Sequence, residues 1–192
     1  MRIIAGLARG TKLFVPEGLA IRPLTDMMRG AVFSRLGASV VGARMLDLFS
    51  GTGAVGLEAL SRGAKQVTLV ERSRDAARVI ERNLEKVMRE EMDREGMEIV
   101  CMDVFDFIAT REKRYDIIFA GPPYAKLPSQ TSLAAKLLQQ PRLPNLLSKN
   151  GTLIIERFKK EELGIITPWR CDRTLSHGDT RVEFLSKSES SR

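Results

Sequence analysis

The order of apolar runs along this 192-residue chain predicts an α/β fold, with a mostly parallel sheet covered by helices on both faces. Three observations predict it. Short apolar runs alternate with helical patterns between residues 44 and 156. The first run passes straight into a glycine turn and then a helix, Met45-Leu-Asp-Leu-Phe-Ser-Gly-Thr-Gly-Ala-Val-Gly56. The second run, Gln66-Val-Thr-Leu-Val-Glu71, ends on a carboxylate twenty residues beyond Gly51.

The elements follow in order. Residues 1–20 are glycine-rich, and the β-like pieces Arg2-Ile-Ile-Ala and Lys12-Leu-Phe-Val around Gly6 and Gly10 predict a hairpin. Thr25 or Asp26 can cap a helix reaching about Leu36. A strand at 44–49 leads to a helix at 54–62 that ends near Gly63, and a strand at 66–71 follows. Ser73 can cap a long charged helix extending to about Arg94. Next come a strand at 98–102, a short helix at 104–111 and a strand at 115–120. A helical stretch interrupted at Pro141 and Pro144 precedes a strand at 151–156. Two further β-like runs, near 164–167 and 181–186, would add as a hairpin with one antiparallel strand, making seven strands. Residues 187–192 read as a frayed tail, and there are no internal repeats.

The length suits a single domain over 1–192: an extension at 1–44, a core at 45–186, and the tail. Hydrophobic residues at 43% and charged residues at 29% are those of an ordinary soluble globular protein. No apolar run approaches the roughly 20 residues of a membrane span, and Met1-Arg-Ile-Ile-Ala-Gly6 lacks a signal-peptide core, so a cytoplasmic protein without membrane partners is expected. Cys101 and Cys171 are far apart and His177 is the single histidine, so no metal site is expected and both cysteines read as reduced packing residues. The net charge of +7 is uneven. Residues 1–44 carry seven basic side chains against Glu17 and Asp26, whereas residues 45–156 hold sixteen of each sign. A basic lobe on a neutral domain points to a polyanionic partner, most simply nucleic acid, against the plainer reading of a solubilising surface.

The glycine loop carries the chemistry. Gly51 and Gly53 let the backbone turn tightly and approach a ligand, and the next helix offers N–H groups and a positive dipole end. Glu71 stands where a nucleoside cofactor's ribose hydroxyls would be gripped. Gly51, Gly53 and Gly56 also spell a dinucleotide fingerprint, but Asp47 decides against it. A carboxylate beside the loop repels a pyrophosphate and suits an ammonium or sulfonium group, so S-adenosylmethionine is favoured over NAD. The plainer role for Asp47 is to hydrogen-bond the loop. Gly121-Pro122-Pro123-Tyr124 follows the strand at 115–120, where the topological switch point would bring it to the glycine loop. Its prolines leave carbonyls free to face a ligand, and Tyr124 offers a face for stacking a base.

The order Asp47, Gly51-Thr-Gly53, Glu71, Asp103 and Pro-Pro-Tyr124 resembles the class I S-adenosylmethionine-dependent methyltransferases that act on exocyclic amines. Arg2-Ile-Ile-Ala-Gly6, Arg9-Gly10, Leu13, Pro16, Gly18, Arg22-Pro23, Thr25-Asp26, Arg29 and Phe33 narrow it, as does the later Gly178-Asp-Thr180. Together they resemble the bacterial small-subunit (16S) ribosomal RNA guanine-N2 methyltransferase family, the RsmD family, over roughly residues 1–186. The resemblance implies a Rossmann-like class I methyltransferase fold and methyl transfer to a guanine N2 by direct in-line displacement. Its partner would be small-subunit ribosomal RNA or an assembling small-subunit particle. Asp47 and the backbone of Phe49, Ser50, Gly51, Thr52 and Gly53 would face the methionine part of the cofactor, with Thr25 near that end. Glu71 would take the ribose, Arg72 would lie beside the adenine, Asp103 would accept from its amino group, and the Val104 N–H would reach a ring nitrogen. A helix cap is the plainer role for Asp103. Arg2, Arg9, Arg22 and Arg29 would meet RNA phosphates, although Arg29 can instead stay within the fold.

One position departs from the family. Where the motif carries Asp or Asn, this chain has Gly121, which keeps the Pro122 carbonyl but loses a side-chain acceptor for the target amine. Either activity is weakened or lost, or a nearby carboxylate such as Asp103 or Asp106 substitutes. The alternatives are another exocyclic-amine methyltransferase, acting on DNA adenine N6 or a protein glutamine, and a catalytically weakened RNA-binding or assembly protein.

Overall fold

A computed structural model describes residues 1–15, 24–92, 94–125 and 130–188. Its elements are α1 (Asp26–Leu36), β1 (Arg44–Leu48), α2 (Ala54–Ser61), β2 (Gln66–Glu71), α3 (Arg74–Val87), β3 (Met97–Cys101), α4 (Val104–Thr110), β4 (Tyr115–Ala120), α5 (Leu133–Leu138), α6 (Leu143–Leu146), β5 (Leu147–Phe158), β6 (Trp169–His177) and β7 (Thr180–Lys187). The sheet has seven strands in the order β3-β2-β1-β4-β5-β7-β6. β7 pairs antiparallel with both β5 and β6, and the other pairings are parallel. This is the expected architecture. The chain turns from β1 towards β2 on one side and returns to β4 on the other, so a crevice opens at the carboxyl ends of β1 and β4.

Strand periodicity divides the core between the two faces. Met45, Ile117, Phe119 and Ile154 join one apolar cluster with α1, α2 and α3, while Leu46, Leu48, Ile118, Ala120 and Ile155 join a second with α4, α5 and α6. Gly56 sets how closely α2 lies on the sheet, since a Cβ there would come within 2.7 Å of Leu69 Cδ2. At the opposite end of the sheet Arg44 binds both carboxylate oxygens of Asp116, and Ser148 donates to Asp116 as well. The guanidinium holds that carboxyl well below the usual range.

Several boundaries differ from expectation. The N-terminal hairpin reduces to one isolated antiparallel bridge, Arg2 with Lys12. Backbone bonds cross it, from Ile3 N–H to the Thr11 carbonyl at 3.0 Å and from Leu13 N–H to the Met1 carbonyl at 3.2 Å, and helix side chains hold it on the core: Glu58 accepts from the Ile4 and Ala5 N–H groups, and Ser61 Oγ from Ala8. The helix expected to reach Arg94 stops at Val87, the last of its buried residues. β5 extends beyond 151–156 at both ends. The penultimate strand lies at Trp169–His177, not at 164–167, where Ile165 is 84% exposed. Both cysteines are exposed, which overturns their reading as packing residues.

Candidate active site

The crevice is a cavity of about 830 Å³. Phe49, Ser50, Gly51 and Thr52 line it from the β1–α2 loop, Glu71 and Arg72 from the end of β2, and Asp103 and Val104 from the start of α4. Gly121, Pro122, Pro123 and Tyr124 complete it from the end of β4. The glycine loop and the Pro-Pro-Tyr motif, seventy residues apart in sequence, thus share one wall, as the switch-point argument predicts.

The loop geometry is set by local backbone chemistry. Gly51 (φ 56°) and Gly53 (φ 77°) are left-handed, as is Phe49 (φ 62°), a conformation that non-glycine residues adopt rarely and mainly at functional sites. A Cβ on Gly53 would press on Ile80 and Leu69 at 3.1–3.3 Å. Gly53 caps α2 without a side chain, and Asp47 compensates: its Oδ2 accepts the Gly56 N–H at 2.9 Å, within the first helical turn. The plain role of Asp47 is therefore present alongside its place in the cavity wall. Glu71 also braces the loop, accepting from Gly51 N–H through Oε2 and from Ser73 N–H through Oε1, each at 2.9 Å. Each carboxylate oxygen has a second lone-pair site, which leaves Glu71 capacity for ribose hydroxyls.

The wall is acidic. Asp47, Glu71, Asp103, Asp106 and Glu156 face the cavity, against Arg72 and Lys136. Asp47 is 1% exposed, and burial, reinforced by the charges of Glu71 and Glu156, pushes its carboxyl up to about 7 despite the Gly56 hydrogen bond. Such a site favours a cation and disfavours a pyrophosphate. Asp103 caps α4, its Oδ1 accepting from Phe105 N–H at 2.8 Å, so its plainer role holds as well. Phe105 packs edge-on against Phe49, and the Lys136 ammonium lies 4.3 Å from the Phe105 ring centre.

Tyr124 is fixed by its phenol, which donates to Glu156 Oε1 and bonds Thr180 Oγ1 at 2.9 Å. Glu156 lies near the end of β5, 5% exposed, with Oε2 only 3.2 Å from the point where a Cβ on Gly121 would stand. The sequence reading missed this residue. A signal was available: like Glu71, it is a carboxylate that closes an apolar strand run, Gly151-Thr-Leu-Ile-Ile-Glu156.

The remaining expectations divide. Thr25 caps α1, accepting from Met28 N–H at 3.2 Å; its neighbour Leu24, not Thr25, lines the cavity. Arg2 and Arg9 are exposed, Arg2 with its Nε 3.7 Å from Asp26 at the surface. Arg22 lies outside the described residues. Arg29 is a correction: its side chain is fully buried, bonded to Asp26 at 3.0 Å and 3.7 Å from the buried Glu58, and cannot reach a phosphate. Among the described residues there is no cluster suited to a metal ion and no helix long and apolar enough to cross a membrane.

Comparison with known proteins agrees with this geometry. A family model described as "Conserved hypothetical protein 95" matches residues 1–186. The ribosomal RNA small subunit methyltransferase D of Escherichia coli is 35% identical over 156 residues, covering 81% of this chain and 71% of that protein. Its Haemophilus influenzae counterpart is 32% identical over 170 residues, covering 88% and 83%. A solved structure from Escherichia coli, described as a candidate methyltransferase, superposes with a TM-score of 0.82 at 26% identity, covering 99% of each chain. With its Rossmann-like class I methyltransferase fold and this acidic cofactor-sized crevice, the chain belongs to the RsmD family of ribosomal RNA methyltransferases.

Proposed function

We propose that the protein transfers a methyl group from S-adenosylmethionine to the N2 amine of a guanine in small-subunit ribosomal RNA. The observation that carries the reading is the acidic crevice in which the glycine loop meets the Pro-Pro-Tyr motif. The cofactor is S-adenosylmethionine. Asp47 and the Phe49–Gly53 backbone take its methionine end, Glu71 the ribose, Arg72 and Asp103 the adenine. In that orientation the sulfonium methyl would face Pro122 and Tyr124. The guanine leaves its stack to reach that point and packs on the aromatic face. Transfer is a direct in-line displacement, so the chain's task is positioning a delocalised, poorly nucleophilic amine. The exposed Arg2 and Arg9 meet phosphates, and the substrate is either the RNA itself or an assembling small-subunit particle.

The test is single-turnover transfer from methyl-labelled cofactor to naked small-subunit RNA and to assembled particles, followed by nucleoside analysis. Label in N2-methylguanosine is the expected result. Label in N6-methyladenosine would point to a different amine, and label in protein would exclude an RNA substrate.

A further inference from the structure

We infer that Glu156 supplies the acceptor that positions the target amine, the part left empty by glycine at position 121. The inference rests on the exocyclic-amine reading above and assigns a catalytic residue to it.

The sheet register brings the two residues together. Ala120 pairs with Ile155 across the parallel β4–β5 ladder, so Gly121 and Glu156 are the next positions on neighbouring strands. Strand alternation turns Glu156 to the same face as Ile154 and Phe119, the side that carries Asp47 and α2. The carboxylate therefore opens into the cavity beside the Pro-Pro-Tyr motif. Its orientation is fixed, because Oε1 receives the Tyr124 phenol and that phenol is in turn held by Thr180. Oε2 then lies 3.2 Å from the Cβ that residue 121 does not have. A larger residue at 121 would press on this oxygen and on the Phe119 ring, whose Cε1 is also 3.2 Å away. Glycine at 121 and glutamate at 156 thus form one arrangement, in which the carboxylate enters from the adjacent strand.

The chemistry balances with this group. Glu156 Oε2 and the Pro122 carbonyl accept the two N–H bonds of the amine and aim its lone pair at the methyl carbon. The nitrogen–carbon bond forms as the carbon–sulfur bond breaks, and that electron pair returns to sulfur, leaving a neutral thioether. The methylated nitrogen sheds one proton to the Glu156 carboxylate, which releases it to water.

Single-turnover transfer with methyl-labelled cofactor, alongside calorimetric cofactor binding and thermal unfolding, tests this. Glu156→Ala is expected to slow transfer by about 10²–10³-fold, as for loss of a single preorganised hydrogen-bonding group, while cofactor affinity changes by no more than a few-fold. Glu156→Gln, of the same shape and with one neutral acceptor, should fall between that variant and wild type. Gly121→Asp should lower transfer, since it sets a second carboxylate against the first. The double change Gly121→Asp with Glu156→Ala should recover activity over Glu156→Ala alone, a rescue that a merely structural glutamate would not permit. If Glu156→Ala folds poorly, Glu156→Gln and the double variant carry the same comparison. Wild-type rates in Glu156→Ala, or a large gain in Gly121→Asp, would overturn the inference. Wild-type protein inert towards every RNA substrate is a separate outcome: it removes the exocyclic-amine reading and this inference with it.

Discussion

Burial raises the Asp47 carboxyl to about 7, and two measurable consequences follow from that single group. Between 3.8 and about 7 the ligand-free folded protein holds a proton that the unfolded chain has lost. This contribution to stability is complete below the unfolded value and lost as pH rises through the folded one, so thermal stability of the ligand-free protein should fall towards neutrality. Cofactor binding has the opposite sign, because a sulfonium and an ammonium group select the ionised carboxylate. Affinity should therefore weaken by roughly tenfold per pH unit below about 7, with a proton released on binding, and level off above it. Calorimetry in two buffers of different ionisation heat reads both effects, and Asp47→Asn should flatten the profile. Glu71 gives a second prediction at this scale. Glu71→Ala should weaken cofactor binding by about 1.5–3 kcal/mol through lost charge-assisted hydrogen bonds to the ribose. The same titration should show NAD failing to bind, since the carboxylates that attract a sulfonium repel a pyrophosphate.

At the scale of elements, the N-terminal segment is coupled to the cofactor loop through one buried side chain. Asn83 on α3 accepts the Phe14 N–H at 2.7 Å and donates to the carbonyls of Phe14 and Thr52, each at 3.0 Å. Asn83→Leu would leave all three backbone groups without their partner, at a cost of about 1–3 kcal/mol or more. Thermal unfolding should register a drop of about 2–4 °C per kcal/mol, and cofactor binding should weaken with it because the Thr52 carbonyl is released. Asn83 was not legible in the sequence, for it sits within a charged helix pattern and its partners lie 69 and 31 positions away. The βα units were legible because each central strand is buried on both faces and reads as a mostly apolar run, broken only by single residues such as Asp47, Thr68 and Asp116. β6 was not, since it is an edge strand with most of its side chains exposed, Arg170, Asp172 and Arg173 among them. With its side chains mostly exposed, β6 leaves no apolar signature, and the neighbouring Gly164-Ile-Ile-Thr167 drew the assignment instead. Glu71 and Asp47 were found from their offset to the glycine loop; Glu156 closes an apolar run in the same way, and the β4–β5 register is what sets it beside Gly121.

For the molecule as a whole, charge separates what binds the cofactor from what can meet RNA. The crevice is acidic, while the extension before β1 carries the excess positive charge, with Arg2 and Arg9 on its surface. Arg29 belongs to the same sequence block but does different work: with Arg62 it flanks Glu58, the carboxylate that pins Ile4 and Ala5 to α2. The two classes of arginine should separate cleanly by experiment. Replacing Arg2 and Arg9 together with Ala should weaken RNA binding and flatten the dependence of log affinity on log salt by about one unit per lost phosphate contact. Cofactor affinity should be unaffected, since neither side chain lines the crevice. Arg29→Ala should behave in the opposite way, destabilising the fold by about 2–5 kcal/mol because it empties the space of a fully buried side chain and removes one of the two cations beside Glu58, Arg62 at 2.7 Å being the other. Wherever it remains folded, its salt slope should match that of the wild type. A salt slope unchanged by loss of Arg2 and Arg9 would instead make them solubilising surface, and the RNA footprint would have to be sought elsewhere among the exposed basic side chains.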